Sequence, residues 1–356
     1  MAENKTNNIF RILAIIFFTA ALLVACEKRE DNTGFNTLYT GNGFFISNEG
    51  SFMGGNGTLS FYSYDSARIF NNIYKEINNR PLGDVVNSVS VNNDHIYLVV
   101  NNSAKIEVAE AGSLRSAGTI NDLVSPRFIE FVTGEKAYVS SLFSDSIVII
   151  NPVTLTVSGY IKLSGSSEWI VVDGDRAYVS NWSGGNSITI IDTGSDNVIG
   201  SISLAPEPGR AIFDNSGDLW VLCSGGYMNT DYPHLYRIDP VTGEILLDLR
   251  FEEMAQNPCE LCYDSVGGFL YFINGDIYRM STGDITLPPD PFIEAGDRNF
   301  YRLGFDPNTR TLVVSDVVDY MQRGYLYGYD SEATEIFSCR AGIIPGSFCF
   351  IDENHD

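Results

Sequence analysis

Ala137-Tyr138-Val139-Ser140 returns forty residues later as Ala177-Tyr178-Val179-Ser180, in the same surroundings both times. An apolar alternation and a tight turn precede each copy: Phe128-Ile129-Glu130-Phe131 with Thr133-Gly134-Glu135, then Trp169-Ile170-Val171-Val172 with Asp173-Gly174-Asp175. A polar loop and a β-branched run follow, Ser146–Asn151 and Ser187–Asp192. Repeats of this length, built from short strands and Gly/Asp/Asn turns, are the blades of a β-propeller. One four-stranded blade cannot bury both of its faces, so blades must stack on neighbours.

The apolar run after the turn occurs seven times. It reads Phe44–Ser47, Ile96–Val99, Ala137–Ser140, Ala177–Ser180, Leu219–Leu222, Leu270–Ile273 and Leu312–Ser315. Six copies have an inner strand directly before them: Ser88–Val91, Phe128–Phe131, Trp169–Val172, Ala211–Asp214, Glu260–Asp264 and Tyr301–Asp306. The first has none, and the missing pattern stands at the other end, Gly346–Asp352. The sequence therefore predicts an all-β, single seven-bladed propeller over residues 39–356. Its C-terminal strand completes the N-terminal blade and leaves no open edge in the ring. No stretch reads as a helix. Asn151-Pro152-Val153-Thr154 and Asp239-Pro240-Val241-Thr242-Gly243 read as tight turns between outer strands.

Residues 1–25 lie apart from this pattern. Lys5 and Arg11 precede the apolar run Ile12–Val24, which is short for a membrane span. It ends Leu23-Val24-Ala25-Cys26, a sequence that resembles the bacterial lipoprotein box. Residues 1–25 are thus expected to be a signal peptide. Residues 26–38 would be a lipidated Cys26 and a flexible tether, beginning with the charged Glu27-Lys28-Arg29-Glu30-Asp31. That tether resembles the surface-export signal of some Gram-negative lipoproteins, so the expected location is the outer membrane, facing outward. The formal charge of −23 argues against nucleic acid and against an anionic membrane surface as partners.

Loops leading into inner strands, and loops between second and third strands, converge on one face of a propeller. They carry Asn48-Glu49, Phe52, Asn101-Asn102, Arg127, Leu142-Phe143, Glu168-Trp169, Asn181-Trp182, Arg210, Tyr227, Tyr232, Asn274, Tyr301-Arg302 and Asp319-Tyr320. Aromatic planes mixed with Arg and amide groups suit a large, partly polar ligand. The expected ligand-binding residues are Arg127, Phe143, Trp169, Asn181, Trp182, Arg210, Tyr227, Tyr301, Arg302 and Tyr320. Each aromatic taken singly is also explained as a wedge between blades.

Catalytic patterns are weak. His95, His234 and His355 fall in unrelated settings and form neither a metal set nor a triad. Asp316 and Asp319 suggest calcium, but an acidic surface usually solvates such pairs. No metal and no resident cofactor are expected. Cys259-Glu260-Leu261-Cys262 sits at the start of an inner strand, where a period of two turns positions three apart to opposite faces, so a structural role is expected. A Cys223–Cys259 disulfide is plausible in an oxidising compartment, and Cys349 reads as a buried thiol.

Ser47-Asn48-Glu49-Gly50-Ser51-Phe52, followed by Gly54-Gly55-Asn56-Gly57-Thr58-Leu59-Ser60-Phe61-Tyr62, resembles the first-blade stretch of the YncE-like (DUF5074-type) propeller lipoproteins of Gram-negative bacteria. Some members of that group, the BtuG-type proteins, bind cobalamin at the cell surface and deliver it to a TonB-dependent transporter. The resemblance implies capture of cobalamin or a related corrinoid, without catalysis. A protein-interaction or adhesion scaffold is the main alternative. A metal-dependent lactonase-like enzyme is the other, and would need acidic residues converging at the channel mouth.

Overall fold

The computed structural model describes residues 41–351; the signal peptide, tether, Cys26 and His355 lie outside them. Seven antiparallel sheets make up the ring. Blade 1 takes its strands in the order Pro345–Phe350, Gly43–Asn48, Thr58–Ser63, Arg68–Phe70. The other inner strands are Val86–Asn92, Pro126–Thr133, Ile170–Asp173, Pro208–Phe213, Cys259–Asp264 and Phe300–Asp306, for blades 2 to 7. All seven predicted second strands are strands, and the C-terminal strand closes the ring as expected. Phe45 pairs with Cys349 and Ile46 with Phe348.

The repeated tetrapeptide has a mechanical basis. Its tyrosine is buried and ties its own blade to the outer turn of the next. Tyr97 donates to Pro152 O at 3.2 Å, Tyr178 to Pro240 O at 3.0 Å, and Tyr138 to the Asp196 carboxylate. Those turns are held rigid by Asn151 and Asp239, whose side-chain oxygens accept the next amides. Between blades the apolar faces merge into clusters; Val139 and Ile150 of blade 3, for example, pack with Val99 and Val108 of blade 2. Burial of these stripes is the main stabilising term.

The serine of the tetrapeptide serves the inner strand. Most inner strands are bulged near their first residues, with register shifts at Val86/Ser88, Pro126/Ile129, Pro208/Ala211, Cys259/Leu261 and Phe300/Leu303. A bulge frees an amide from the ladder and re-aims a side chain. Ser140 Oγ accepts the freed Phe128 N–H, and Ser315 Oγ that of Arg302, both at 3.0 Å.

Three expectations need correction. A short helix, Ile73–Asn78, follows the outer strand of blade 1; at six residues it is too short to show a helical period. It docks through Tyr74, whose hydroxyl donates to Glu107 at 2.7 Å. Blade 6 has three strands, because Pro288, Pro289 and Pro291 occupy the segment where a fourth would form and cannot donate to a ladder. Phe292 and Ile293 bond back to Ile277, which makes an isolated bridge with Ile293. Cys223 and Cys259 are free thiols. Cys223 packs between blades 4 and 5 and Cys259 between blades 6 and 7, so they do not share a face.

Candidate functional site

The inner-strand bulges aim charged side chains across the channel mouth, where they form a floor. Arg127 makes a two-pronged pair with Glu168, Nε–Oε2 and Nη2–Oε1 both 2.7 Å. Arg302 Nη1 donates to Glu260 Oε1 at 2.6 Å, while its Nη2 lies 3.5 Å from Glu49 Oε1. Arg210 Nε sits 2.9 Å from Glu260 Oε2, an ion pair not aligned as a hydrogen bond. Tyr301 donates to Glu49 Oε1 at 2.8 Å. Glu260 occupies the bulge itself, with φ +52°.

This floor is electrostatically closed. Burial alone would pull the Arg302 guanidinium down, but Tyr301, Glu260 and Glu49 outweigh it and hold the group well above the usual arginine value. Burial likewise pushes Glu260 up, and Arg210 with Arg302 more than reverses that. Both stay charged through the physiological range. Removing one partner would leave an uncompensated buried charge, a cost of about 3–5 kcal/mol.

Above the floor opens a funnel of about 1140 Å³, bounded by blades 3 to 7. Trp169 stands half-buried at its side. Its Nε1–H donates to Ala211 O at 2.8 Å, Phe128 meets it edge-on at 4.7 Å, and the Arg210 guanidinium lies 4.1 Å over its ring. Trp182, Tyr227 and Tyr320 are less constrained, and Tyr227 is 87% exposed. Below the floor lies a separate chamber of about 290 Å³, walled by Ile212, Leu261, Cys262, Phe305, Phe348 and Phe350.

Eight of the ten expected residues line the funnel: Arg127, Trp169, Trp182, Arg210, Tyr227, Tyr301, Arg302 and Tyr320. Asn181 and Phe143 do not. Asn181 is buried, accepting from Thr189 and Ser187 and donating to Ser166 O, so its amide is structural. Phe143 lies on a shallow depression with Val124 and Ser166. The three arginines are not unpaired cations, since carboxylates already answer their charge. The Cys259–Cys262 pair also differs from expectation: the bulge at Glu260 restores parity, and both thiols pack against the same cluster between blades 6 and 7. Asp316 accepts the Asn299 and Val318 amides, and Asp319 those of Met321 and Gln322.

Sequence reasoning named Glu168 and Asn274 on the rim without assigning them a role, and missed Gln256, Asn257 and Asn299 beside them. The Asn48-Glu49-Gly50 stretch also acquires a purpose. Asn48 is fully buried, donates to Ser60 Oγ at 2.8 Å and accepts the Gly342 N–H at 2.9 Å, stapling blade 1 to blade 7. A Cβ at Gly342 would stand 2.5 Å from the Asn48 amide carbon, so only glycine admits this approach. Glu49 then braces Arg302. The loops after the second strands of blades 1, 3, 5 and 7 carry exposed apolar side chains, Phe52 and Met53, Phe143, Tyr227 and Met228, Tyr320 and Met321, of which Tyr227 and Tyr320 line the funnel.

A family profile described as "Domain of unknown function (DUF5074)" matches residues 42–341. No curated protein matches the chain. Among solved structures, a quinoprotein alcohol dehydrogenase-like protein from Bacteroides thetaiotaomicron superposes with a TM-score of 0.68 at 13% identity, covering 88% of this chain and 79% of that one. Kuenenia stuttgartiensis hydrazine synthase gives 0.59 at 17% identity, covering 74% and 88%. The dihydro-heme d1 dehydrogenase NirN in complex with DHE gives 0.58 at 10% identity, covering 86% and 75%. At these identities the likeness is one of fold.

Proposed function

The chain belongs to the DUF5074 family, and from that footing we propose that it is a non-catalytic binding propeller of the BtuG type. It takes cobalamin or a related corrinoid into its funnel and passes it to a TonB-dependent outer-membrane transporter. The observation that carries this reading is the funnel of about 1140 Å³, with Trp182 and the exposed Tyr227 in its wall over a floor of paired charges. Sites for ordinary small ligands span about 300–1,000 Å³, so this one suits a bulky molecule. A macrocycle can stack on Trp182 and Tyr227 while its polar edge meets the wall. The exposed apolar loop tips, Tyr227 and Tyr320 of the funnel wall among them, give a partner protein a surface of the aromatic and methionine-rich kind that interfaces favour.

A binding role also fits the charges. A general acid or base needs a pKa near the working pH, and Glu260 at the floor is held below the usual carboxylate range by its two arginines. In this reading the lipoprotein box at Cys26 anchors the domain to the outer membrane, outward-facing. Labelling of cells with palmitate, lost in Cys26→Ser, checks the anchor.

Calorimetric titration of the full chain with cyanocobalamin tests the binding. Trp182→Ala is the informative variant, because Trp169 supports the floor and its loss would disturb the fold. Saturable binding that weakens about tenfold or more in Trp182→Ala is the expected outcome, since a stacked aromatic pair plus its buried area contributes on the order of 1–3 kcal/mol. Heats no larger than dilution at tens of micromolar would reject the corrinoid.

A further inference from the structure

Every arginine that the sequence offered as a hook for an anionic ligand is charge-paired inside the protein. Arg127 is held by Glu168, Arg210 and Arg302 by Glu260, and Arg302 also by Glu49. Each guanidinium keeps N–H groups of its own, but its charge is already answered by a carboxylate, so an incoming phosphate or carboxylate competes with a buried partner and gains less than at an unpaired arginine. The four arginines of the funnel lining are balanced by four carboxylates, so the wall gives no net attraction to an anion.

The wall along blades 5 to 7 is built differently. Asn229 lies in the loop after the second strand of blade 5, and Asn257 in the loop leading into blade 6. Asn274 begins the tight turn of blade 6, and Asn299 directly precedes the inner strand of blade 7. Among the described residues none of these four side-chain amides makes an internal hydrogen bond. Each presents two donors and one acceptor oxygen, and on the blade 4 side of the funnel stands the Trp182 ring. The matching ligand groups are those that also donate and accept, which are primary amides and hydroxyls. A carboxylate edge accepts only and would leave the four amide oxygens unanswered.

Resting on the corrinoid reading, we propose that this carboxamide arc is the specificity element of the funnel. It reads a neutral ligand edge rich in primary amides or hydroxyls, and the arginines serve as braces of the floor.

Two matched pairs of probes test this on the full chain by calorimetry. Dicyanocobinamide carries the carboxamide edge of the corrin without the nucleotide phosphate; dicyanocobyrinic acid carries carboxylates at the same positions. Maltoheptaose and an oligogalacturonate of equal length form the neutral and acidic sugar pair. Asn274→Asp/Asn299→Asp changes donors to acceptors with almost no change of shape, and Asn257→Asp serves as a second variant; thermal melts confirm that both fold. The expected result is that cobinamide binds at least tenfold more tightly than cobyrinic acid, and that the double variant loses about tenfold or more of that affinity. Binding of maltoheptaose but of neither corrin, lost in the same variant, would uphold the arc and remove the corrinoid. Cobyrinic acid binding as tightly as cobinamide, or aspartate variants that bind as the parent does, would overturn the arc while leaving corrinoid capture standing. No binding of any of the four overturns both.

Discussion

Two carboxylates show how little a residue type says without its surroundings. Glu107 is fully buried on the third strand of blade 2; burial would raise its pKa, yet hydrogen bonds from Arg80, Ser116, Tyr74 and Lys105 carry it down to about 2. Glu130, on the inner strand of blade 3, has only burial acting on it, and its pKa rises to about 7. The signs of their pH dependence are therefore opposite. The stability that Glu107 contributes is complete above the ordinary glutamate value of 4.5 and disappears as pH falls toward 2. Glu130 binds its proton more tightly in the folded chain, so folding loses stability as pH rises from about 4.5 to 7. Melts of Glu130→Gln should show a gain of a few degrees at pH 8 that vanishes by pH 4. Glu107→Gln should lose on the order of 3 kcal/mol at pH 7, with a smaller difference from the parent near pH 2. A Glu130→Gln gain of equal size at both pH values would contradict the assignment. Much of the funnel lining was readable at this scale, since eight of the ten residues expected on one face line one funnel. Asn181 misled because its side chain turns inward to Thr189, and the free amides beside it in type, Asn257 and Asn299, carry no signal that separates them.

At the scale of the element, second strands were legible because each packs on both faces and reads as a continuous apolar run, as in Leu270–Ile273. Bulges were not, since an extra residue in a strand leaves no mark on composition. That gap is why the Cys259 and Cys262 side chains were expected on opposite faces and lie on one. The missing strand of blade 6 was written in Pro288, Pro289 and Pro291, a clue that needs only the rule that proline cannot donate to a ladder. The recurring serine marks the bulge from the neighbouring strand, and its loss has a defined effect. Ser140→Ala removes the acceptor of the buried Phe128 amide, so urea unfolding should report a destabilisation of about 1–3 kcal/mol with an unchanged slope. Ser183→Ala, on an exposed loop, should fall within about 0.5 kcal/mol of the parent.

For the whole molecule, the ring was legible because the repeat count and the orphaned inner strand at the C-terminus agree, and only closure satisfies both. Its closure joins distant parts of the chain: the Ser347 N–H donates to Ser47 Oγ at 3.0 Å across 300 positions. That single feature has a temporal meaning. Closing so long a loop costs about 5 kcal/mol of chain entropy, and contacts this remote in sequence form slowly. While the chain is being made, blades 2 to 7 can assemble in order, but Gly43–Asn48 must wait with one edge unpaired until the last residues arrive. The amides that bridge this closure, Phe45 toward the C-terminal strand and Ser347 toward Ser47, should therefore be the last to gain protection when refolding is followed by pulsed hydrogen exchange, after those of Tyr138 and Tyr178. If they are protected together with the middle blades, closure is not the final step. Otherwise the first strand made is the last one finished, and until then it is the part of the chain most open to pairing with a neighbour.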